Sequence, residues 1–257
     1  NVELPVPSIE KQLSIVKAYK TITDRIALKQ QINEKLEETA RTYFQSLFAK
    51  YTDSSNDELP TEWRWAKVGD YCKENIANVS TADASKFIVY LDIGSINKNY
   101  FDNFQVLSSS DEIPSRAKRK VFDGDIVYST VRPNLKHYGI IYNPPSNMVV
   151  STGFAVLHNN GKGVSNELIY LWITSNSIAE YLQSMAENSV STYPTLNVSD
   201  LLDVRISVPD NQTLEQANRF LRAVFSAISS NNLELRQLIA LQNILLPKLL
   251  SMDDKVL

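Results

Sequence analysis

The segment from Ser115 to Lys136 holds the side chains of this chain that are best suited to binding a polyanion. It carries six positive and two negative charges, a local balance of +4 in a chain whose net charge is -3. Cations, asparagine and hydroxyl side chains are the types that contact phosphates and base edges in nucleic acids. The candidate residues are Arg116, Lys118, Arg119, Lys120, Ser129, Thr130, Arg132, Asn134 and Lys136. A solvated basic loop explains the same composition about equally well.

Residue patterns that support catalysis are nearly absent. The two histidines, His137 and His158, lie 21 residues apart, and no metal-site spacing surrounds them. The single cysteine, Cys72, excludes an intrachain disulfide and a cysteine-rich zinc site. There is no nucleophile elbow and no phosphate-binding loop, and Asn143-Pro-Pro-Ser146 is more typical of a turn than of the adenine-methyltransferase loop that it partly matches. An enzyme acting alone is therefore disfavoured.

Bulk composition is that of an ordinary soluble protein. The 257 residues are 43% hydrophobic and 21% charged, which allows one large domain or one domain with extended elements. The sequence contains neither a long apolar run nor the pattern of a signal peptide, so we expect a cytoplasmic location. Because the net charge is negative, nucleic-acid binding would have to rest on a local basic surface.

One long helix, predicted from Ser8 to Tyr51, is the first element that must position these residues. Apolar side chains recur at spacings of three and four, and neither Gly nor Pro interrupts the run. The predicted apolar face comprises Ile15, Tyr19, Ile22, Ile26, Leu36, Ala40, Tyr43 and Leu47. At about 1.5 Å per residue, a helix roughly 60 Å long needs a partner to cover that face.

The end of the chain repeats this segment with an offset of 202 residues. Val204–Pro209 echoes Val2–Pro7, and a second helix is predicted over residues 213–252 with its apolar residues in the same phase. Thr213 and Gln216 have the spacing of a capping box, with Thr213 as the N-cap. A coincidental pair of amphipathic helices is the alternative, but the shared Val-Pro entry favours a repeat.

Between the helices, short β-branched runs separated by turns predict a mixed domain. The predicted strands are Lys86–Leu91, Asp125–Ser129, Gly139–Tyr142, Val149–Leu157 and Val204–Val208, and a helix is predicted from Leu168 to Met185.

One long helix leads into this domain and the other leads out, so the two long helices should be antiparallel. The predicted fold class is α+β, with one mixed α/β domain flanked by two long antiparallel helices that form a coiled coil. Three asparagines lie near the predicted seam: Asn33, Asn231 and Asn232. Polar side chains at such positions can fix the register of the two helices. The predicted segments are 1–51, 59–208 and 209–257.

Motifs along nearly the whole chain resemble those of the specificity (S) subunit of type I restriction-modification systems. Leu4–Gln12 resembles the family's entry to a conserved helix, with Lys11 where Glu is usual. Gly124–Asn134 and Ser151–Leu157 resemble core strands of a target recognition domain. Further matches begin at Leu59, Val68, Ser191, Leu196 and Leu245. The family's usual subunit has two recognition domains, so this chain resembles a half-subunit or the C-terminal half of one.

The resemblance implies a non-catalytic subunit that recognises double-stranded DNA. Its recognition domain would read one half of a bipartite site, and its helices would set the spacing and dock other subunits. A methylation subunit would bring S-adenosylmethionine, a restriction and motor subunit would bring ATP and Mg²⁺, and this chain would have no cofactor of its own. A second copy could supply the other half-site through a homodimer of the long helices.

The resemblance also assigns roles to the candidate residues. Arg119, Lys120 and Lys136 would contact phosphates, which position a protein without specifying sequence. Arg132 and Asn134 would contact base edges. Weaker candidates from a second hydroxyl-rich loop are Ser191, Thr192 and Tyr193. The competing interpretation is a coiled-coil scaffold whose globular head binds a protein or peptide instead of DNA.

Overall fold

The computed structural model describes residues 8–51, 58–79, 87–102, 104–108, 110–188 and 194–250, with burial described as far as Leu245. They form two compact units. One contains the chain up to Thr39 together with the chain from Val224 onward, and the other is Ala40–Ala223. The entry strand expected at Val2–Pro7 lies outside the described residues. The segment boundaries 1–51, 59–208 and 209–257 stay a prediction, since the compact units are divided within the helices.

Two helices of 40 residues each dominate the secondary structure. Helix α1 spans Ile9–Phe48 and α5 spans Asn211–Leu250. The prediction of Thr213 as the N-cap was wrong, because α5 begins earlier, at Asn211. The Thr213 amide instead donates a hydrogen bond to Asp210 Oδ1 at 2.9 Å. That hydrogen bond holds the pKa of Asp210 below its usual value. Within the described residues, no helix is both long and apolar enough to cross a membrane.

In the unit formed by residues 8–39 and 224–250, α1 and α5 run antiparallel. Lys29 donates to Asn231 at 2.8 Å and Gln242 donates to Thr23 at 3.0 Å, so the numbering rises along one helix as it falls along the other. One series of buried and half-buried residues of α5 recurs at alternating spacings of three and four, which is the pattern of a coiled-coil seam. They are Phe225, Ile228, Asn232, Leu235, Ile239 and Gln242. The predicted apolar face of α1 is confirmed except at Tyr19, whose side chain is exposed.

The predicted asparagines meet in this seam. Asn33 Nδ2 donates to Asn232 Oδ1 at 2.8 Å, and Asn231 Nδ2 donates to Asn33 Oδ1 at 2.8 Å. All three side chains are half-buried. A shift of either helix by one turn would separate these amides, so the polar contact specifies one register in an otherwise repetitive apolar face.

Replacing Asn33 with alanine should destabilise the helix pair by about 1–2 kcal/mol, because two half-buried amides lose their partner. Chemical denaturation followed by helical circular dichroism measures the change. The matched control is Glu34→Ala, which removes an exposed side chain from the adjacent position. Equal stability of the two variants would show that the asparagine contact does not stabilise the helix pair.

Two four-stranded sheets form the centre of the Ala40–Ala223 unit. The first has the order Gln105–Leu107 (β6), Ile88–Leu91 (β3), Met148–Ser151 (β10) and Ala117–Lys120 (β7), and only β3 and β10 are parallel. The second has the order Cys72–Glu74 (β2), Phe154–Asn159 (β11), Ile126–Ser129 (β8) and Tyr138–Ile140 (β9), all antiparallel. Val127, Val150 and Phe154 belong to the core that the two sheets share.

Two short strand pairs complete the described β-structure. Arg64–Lys67 (β1) pairs antiparallel with Arg205–Val208 (β12), and Ile96–Asn97 (β4) pairs antiparallel with Tyr100–Phe101 (β5). The first pair brings the two ends of the mixed domain together. The second forms a hairpin that contacts β9. The mixed α/β composition expected from the sequence is confirmed.

The strand predicted at Val149–Leu157 is instead two strands in different sheets. The chain leaves β10 and enters β11 at Thr152 and Gly153, where Thr130 donates to the Gly153 carbonyl through both its amide and its hydroxyl. A Cβ on Gly153 would lie 2.4 Å from Ile93 Cδ1, so a side chain here would displace a neighbour. The sequence pattern does not mark the crossing, because both strands are buried and only Ser151, Thr152 and Gly153 separate their apolar residues.

The helix predicted at Leu168–Met185 is also divided. Helices α2 (Asn166–Ile173) and α3 (Asn176–Glu187) are separated at Thr174 and Ser175. The Thr174 hydroxyl donates to the Tyr170 carbonyl at 2.7 Å and the Ser175 hydroxyl donates to the Trp172 carbonyl at 2.8 Å. Side-chain hydroxyls that bond to the preceding turn compete with helical hydrogen bonds, which explains the break. A short helix, α4 (Val198–Leu202), precedes β12.

Candidate nucleic-acid interface

The first part of the predicted basic segment is strand β7, at the end of the first sheet's strand order. The pairing of β7 with β10 shifts register between Val150 and Ser151, so Lys118 has no paired residue on β10. The Lys118 side chain is exposed. Lys120 is half-buried. Strand β7 therefore presents the Lys118 side chain more openly than those of Arg119 and Lys120.

Arg119 lies opposite Val150, a residue of the core between the sheets. Its Nη1 is buried and has no hydrogen-bond partner among the described residues. Burial lowers the pKa of this guanidinium, and the charge of Glu74 opposes that effect. Arg119 is half-buried as a whole, and it thus differs from Arg116 and Lys118, whose side chains are exposed.

The second part of the segment is a tight turn after β8. Arg132 and Lys136 adopt left-handed backbone conformations, with φ of 49° and 59°, on either side of a 3-10 turn at Pro133–Leu135. Left-handed conformations are uncommon for residues other than glycine, and they cluster at functional sites. Arg132 and Asn134 are exposed, and Lys136 is half-buried.

Neighbouring elements hold this turn on several sides. The Arg132 amide donates to the Pro194 carbonyl at 3.0 Å, and the Lys98 amide donates to the Lys136 carbonyl at 3.1 Å. The Asn134 amide donates to Gln183 Oε1 of α3 at 2.9 Å. The polar side chains of the turn therefore project from a backbone that is fixed at its beginning, middle and end.

Ser129 and Thr130 belong to the framework beneath the turn. Both residues are buried. The Ser129 hydroxyl donates to the Val131 carbonyl at 2.8 Å, and the Thr130 hydroxyl donates to the Gly153 carbonyl at 2.9 Å. Their assignment as DNA contacts stays a prediction. The other predicted hydroxyl loop, Ser191, Thr192 and Tyr193, lies outside the described residues.

An open cleft of about 540 Å³ lies beside the turn. The residues that line it, here called the turn cleft, are Ile93, Arg116, Val131, Arg132, Leu135, His137 and Thr195. Two of the predicted cations, Arg116 and Arg132, are thus brought to one surface, with Asn134 and Lys136 in the adjoining turn. Exposed guanidinium groups at a partly apolar cleft suit both phosphate and base contacts.

Sequence reasoning missed three residues of this surface. Thr195 reaches the turn cleft because its backbone pairs with Val131, and His137 reaches it from the start of β9. Lys98 is exposed and its amide bonds to the Lys136 carbonyl. The Lys98-Asn99 pair carries a local signal for a turn, since asparagine tolerates left-handed backbone.

Asn99 links the β4–β5 hairpin to β9. It is buried, has a φ of 64°, and accepts the Ile140 amide through Oδ1 at 2.9 Å. We expect Asn99→Ala to destabilise the mixed domain by about 1–3 kcal/mol, because a buried amide loses its acceptor. The exposed Asn97→Ala, expected to change stability by less than about 0.5 kcal/mol, is the control in a denaturant titration. A similar loss in both variants would contradict this role.

The groups with catalytic potential elsewhere in the mixed domain are a buried thiol and a hydrogen-bonded histidine–aspartate pair. Burial raises the pKa of the Cys72 thiol to about 12, which disfavours the nucleophilic thiolate. His158 Nδ1 lies 2.8 Å from Asp125 Oδ1, and burial raises the pKa of Asp125. No cluster of metal-ligating side chains occurs among the residues that the structure describes.

The fold and the site define a class of protein in which one mixed α/β domain lies, in chain order, between two long antiparallel helices. The family model for the type I restriction modification DNA specificity domain matches residues 60–240. This chain belongs to that family. The resemblance found in the sequence motifs is thereby confirmed. The chain contains one recognition domain.

Two curated relatives show how much of a specificity subunit the chain covers. The HindI specificity subunit of Haemophilus influenzae is 29% identical over 156 residues, which are 61% of this chain and 34% of that protein. The MjaIX specificity subunit of Methanocaldococcus jannaschii is 25% identical over 268 residues, covering 96% of this chain and 60% of that protein. The chain therefore spans only part of the length of these relatives.

Solved structures share the fold. The HsdS subunit from Thermoanaerobacter tengcongensis aligns with 72% of this chain and 46% of that chain, with a TM-score of 0.55 and 22% identity. The type I restriction-modification S subunit from M. genitalium aligns with 94% of this chain and 61% of that chain, with a TM-score of 0.56 and 14% identity. The predicted fold class is confirmed.

Proposed function

We propose that this chain is the non-catalytic DNA-recognition subunit of a type I restriction-modification complex. Its mixed domain reads one half of a bipartite site in double-stranded DNA. The observation that carries the proposal is the turn cleft, where Arg116 and Arg132 meet beside a backbone turn with two left-handed residues. Membership of the specificity family supports DNA as the polyanion.

The paired helices set the spacing between half-sites and dock other subunits. An exposed apolar stripe on α1 supports docking, since Ile9, Leu13 and Val16 follow at spacings of four and three and are 75%, 65% and 60% exposed. A methylation subunit and a restriction and motor subunit are the proposed partners. A second copy of the chain, paired through the long helices, is the proposed source of the other half-site.

Cofactors belong to the partner subunits under this proposal. The methylation subunit supplies S-adenosylmethionine, and the restriction and motor subunit supplies ATP and Mg²⁺. The role of this chain is to place the methylation subunit on a chosen sequence. Methyl transfer or DNA hydrolysis by the purified chain alone would overturn its assignment as non-catalytic.

Salt dependence of duplex binding tests the proposal against a protein-binding scaffold. The logarithm of the binding constant should fall linearly with the logarithm of salt concentration, because each phosphate contact releases counterions. Lys136→Ala should reduce the slope by about 1 if Lys136 contacts phosphate. Lys162→Ala removes an exposed cation outside the proposed surface and should leave the slope unchanged. Absence of duplex binding, or a slope near zero, would favour the scaffold.

A genome-wide map of adenine methylation tests the half-site arrangement. Cells would express this chain with its cognate methylation subunit. A split palindromic motif is expected if two copies each read one half-site. A split asymmetric motif would assign the second half-site to a different chain, and no motif from a soluble complex would overturn the recognition role.

A further inference from the structure

We propose that His137 determines specificity in the turn cleft by accepting a hydrogen bond from the amino group of adenine in an adenine–thymine pair. The apolar residues of the same cleft contact the thymine methyl group. This inference rests on the proposed function and deepens it, because it names one base pair that the domain selects.

The hydrogen bond of His137 fixes which ring nitrogen can contact a ligand. Its Nδ1 bonds to the Ile96 carbonyl, and a carbonyl oxygen can only accept. Nδ1 therefore carries the hydrogen, and in the neutral imidazole Nε2 is left as an acceptor. His137 is half-buried and lines the turn cleft.

The position of the ring is set by two β-elements. Ile96 belongs to β4, and the β4–β5 hairpin is bonded to β9 through Asn99 Oδ1 and the Ile140 amide at 2.9 Å. His137 directly precedes β9. The carbonyl that holds the imidazole and the backbone that carries it are thus joined, so the acceptor is oriented before DNA binds. Such preorganisation reduces the entropy lost on binding.

An acceptor at this position limits the bases that it can recognise. In the major groove only adenine N6 and cytosine N4 donate hydrogen bonds, whereas guanine N7 and O6 and thymine O4 accept them. His137 Nε2 is therefore complementary to adenine or cytosine. It gives no hydrogen bond to the acceptor edge of guanine.

The apolar lining distinguishes between these two bases. Ile93, Val131 and Leu135 line the same cleft, and the Leu135 side chain is 49% exposed. The thymine methyl group, beside the adenine amino group in the major groove, is the apolar feature that a cytosine–guanine pair lacks. A cleft that combines an acceptor with aliphatic side chains matches an adenine–thymine pair at both edges. Arg116, which lines the same cleft, adds positive charge that attracts the backbone phosphates.

Selection from a pool of random DNA duplexes by the full chain with its methylation subunit tests this inference. The test variant is His137→Asn, because the asparagine amide nitrogen can occupy the position of Nδ1 and keep the bond to the Ile96 carbonyl, while no atom replaces Nε2. Wild type should select adenine–thymine at one position where the variant loses its preference by about threefold to tenfold, the range of a single hydrogen bond. Preferences at the other positions should stay unchanged.

Base analogues in the selected duplex test both halves of the contact on the wild-type complex. Purine in place of adenine removes the amino group, and deoxyuridine in place of thymine removes the methyl group. Loss of the amino group removes a hydrogen bond and loss of the methyl group removes an apolar contact, and each should weaken wild-type binding about threefold to tenfold. The His137→Asn variant should be insensitive to purine and should remain sensitive to deoxyuridine.

Several outcomes would contradict the inference and separate it from the proposed function. An unchanged consensus with His137→Asn, or relaxation at a guanine–cytosine position, would remove His137 from base selection while leaving DNA recognition intact. If wild type ignored both analogues at every adenine–thymine position, the inference would fail even if the variant did not fold. If wild type selected no consensus, the proposed function itself would fail.

Discussion

Replacing Trp172 with alanine is expected to destabilise the mixed domain by about 3–5 kcal/mol, the range for truncating a fully buried large aromatic side chain. Trp172 lies in α2 and is 0% exposed. The loss combines the transfer free energy of the indole with the cavity that it leaves.

The environment of Trp172 explains why the cavity would not close. Its ring packs edge-on against Phe44 at 4.9 Å and lies 5.1 Å from Phe48, both from the last turns of α1. Phe48 in turn lies 5.6 Å from Trp63, ahead of β1. Three separate parts of the chain therefore meet at one aromatic cluster, and each is held by other contacts, so none can move freely into the vacated volume.

The matched control is Trp172→Phe. The indole Nε1 is buried without a hydrogen-bond partner among the described residues, so phenylalanine sacrifices no hydrogen bond and keeps an aromatic ring in the cluster. We expect a smaller loss than for alanine in urea denaturation followed by circular dichroism. An alanine variant that loses less than about 1 kcal/mol would show that the site collapses and that the cluster does not anchor α1.

The helix pair was predictable because its signal is periodic and local. Spacings of three and four identified Ile22, Ile26 and Leu36 as seam residues, and the asparagine contact of Asn33 followed from its phase in the same pattern. The start of α5 was less accessible. Thr213 and Asp210 both carry side chains that cap helices, and the choice between them depends on where the preceding strand ends.

Strand order in the mixed domain could not be derived from local patterns. Met148–Ser151 and Phe154–Asn159 are both buried, so their apolar runs join into one apparent strand although they belong to different sheets. The crossing at Gly153 depends on a close approach to Ile93, which is 60 residues away in the sequence. Hydrophobic periodicity predicts which residues are buried, but it does not predict which strands pair with each other.

The candidate site shows the same division between local and tertiary information. Charge density grouped Arg119 with Arg116 and Arg132, but it could not show that register places Arg119 opposite Val150 of the core, whereas Arg116 and Arg132 line the turn cleft. Contact of this surface with DNA stays a prediction. His137 and Thr195 carry no local signal for this surface. They reach the turn cleft only through the β4 carbonyl and the pairing of Thr195 with Val131.

Replacing Arg132 with alanine is expected to lower discrimination between the correct half-site and a single-base variant of it by about 1–3 kcal/mol, if Arg132 forms a paired contact with a base edge. The left-handed backbone at Arg132 is held by its amide bond to the Pro194 carbonyl. Alanine has the same Cβ as arginine, so the substitution removes the guanidinium without adding a new backbone clash. Competition binding with matched and mismatched duplexes at one salt concentration measures the change.

Two further variants decide which atoms of Arg132 carry the effect. Arg132→Lys keeps the charge but not the planar pair of donors, so it should retain affinity for non-specific DNA and still lose discrimination. Lys136→Ala, across the same turn, should weaken binding to all sequences alike, because phosphate contacts carry no sequence information. If Arg132→Ala instead weakened every duplex equally, as Lys136→Ala is expected to do, then Arg132 would contact the backbone, and base selection in the turn cleft would depend on residues other than arginine.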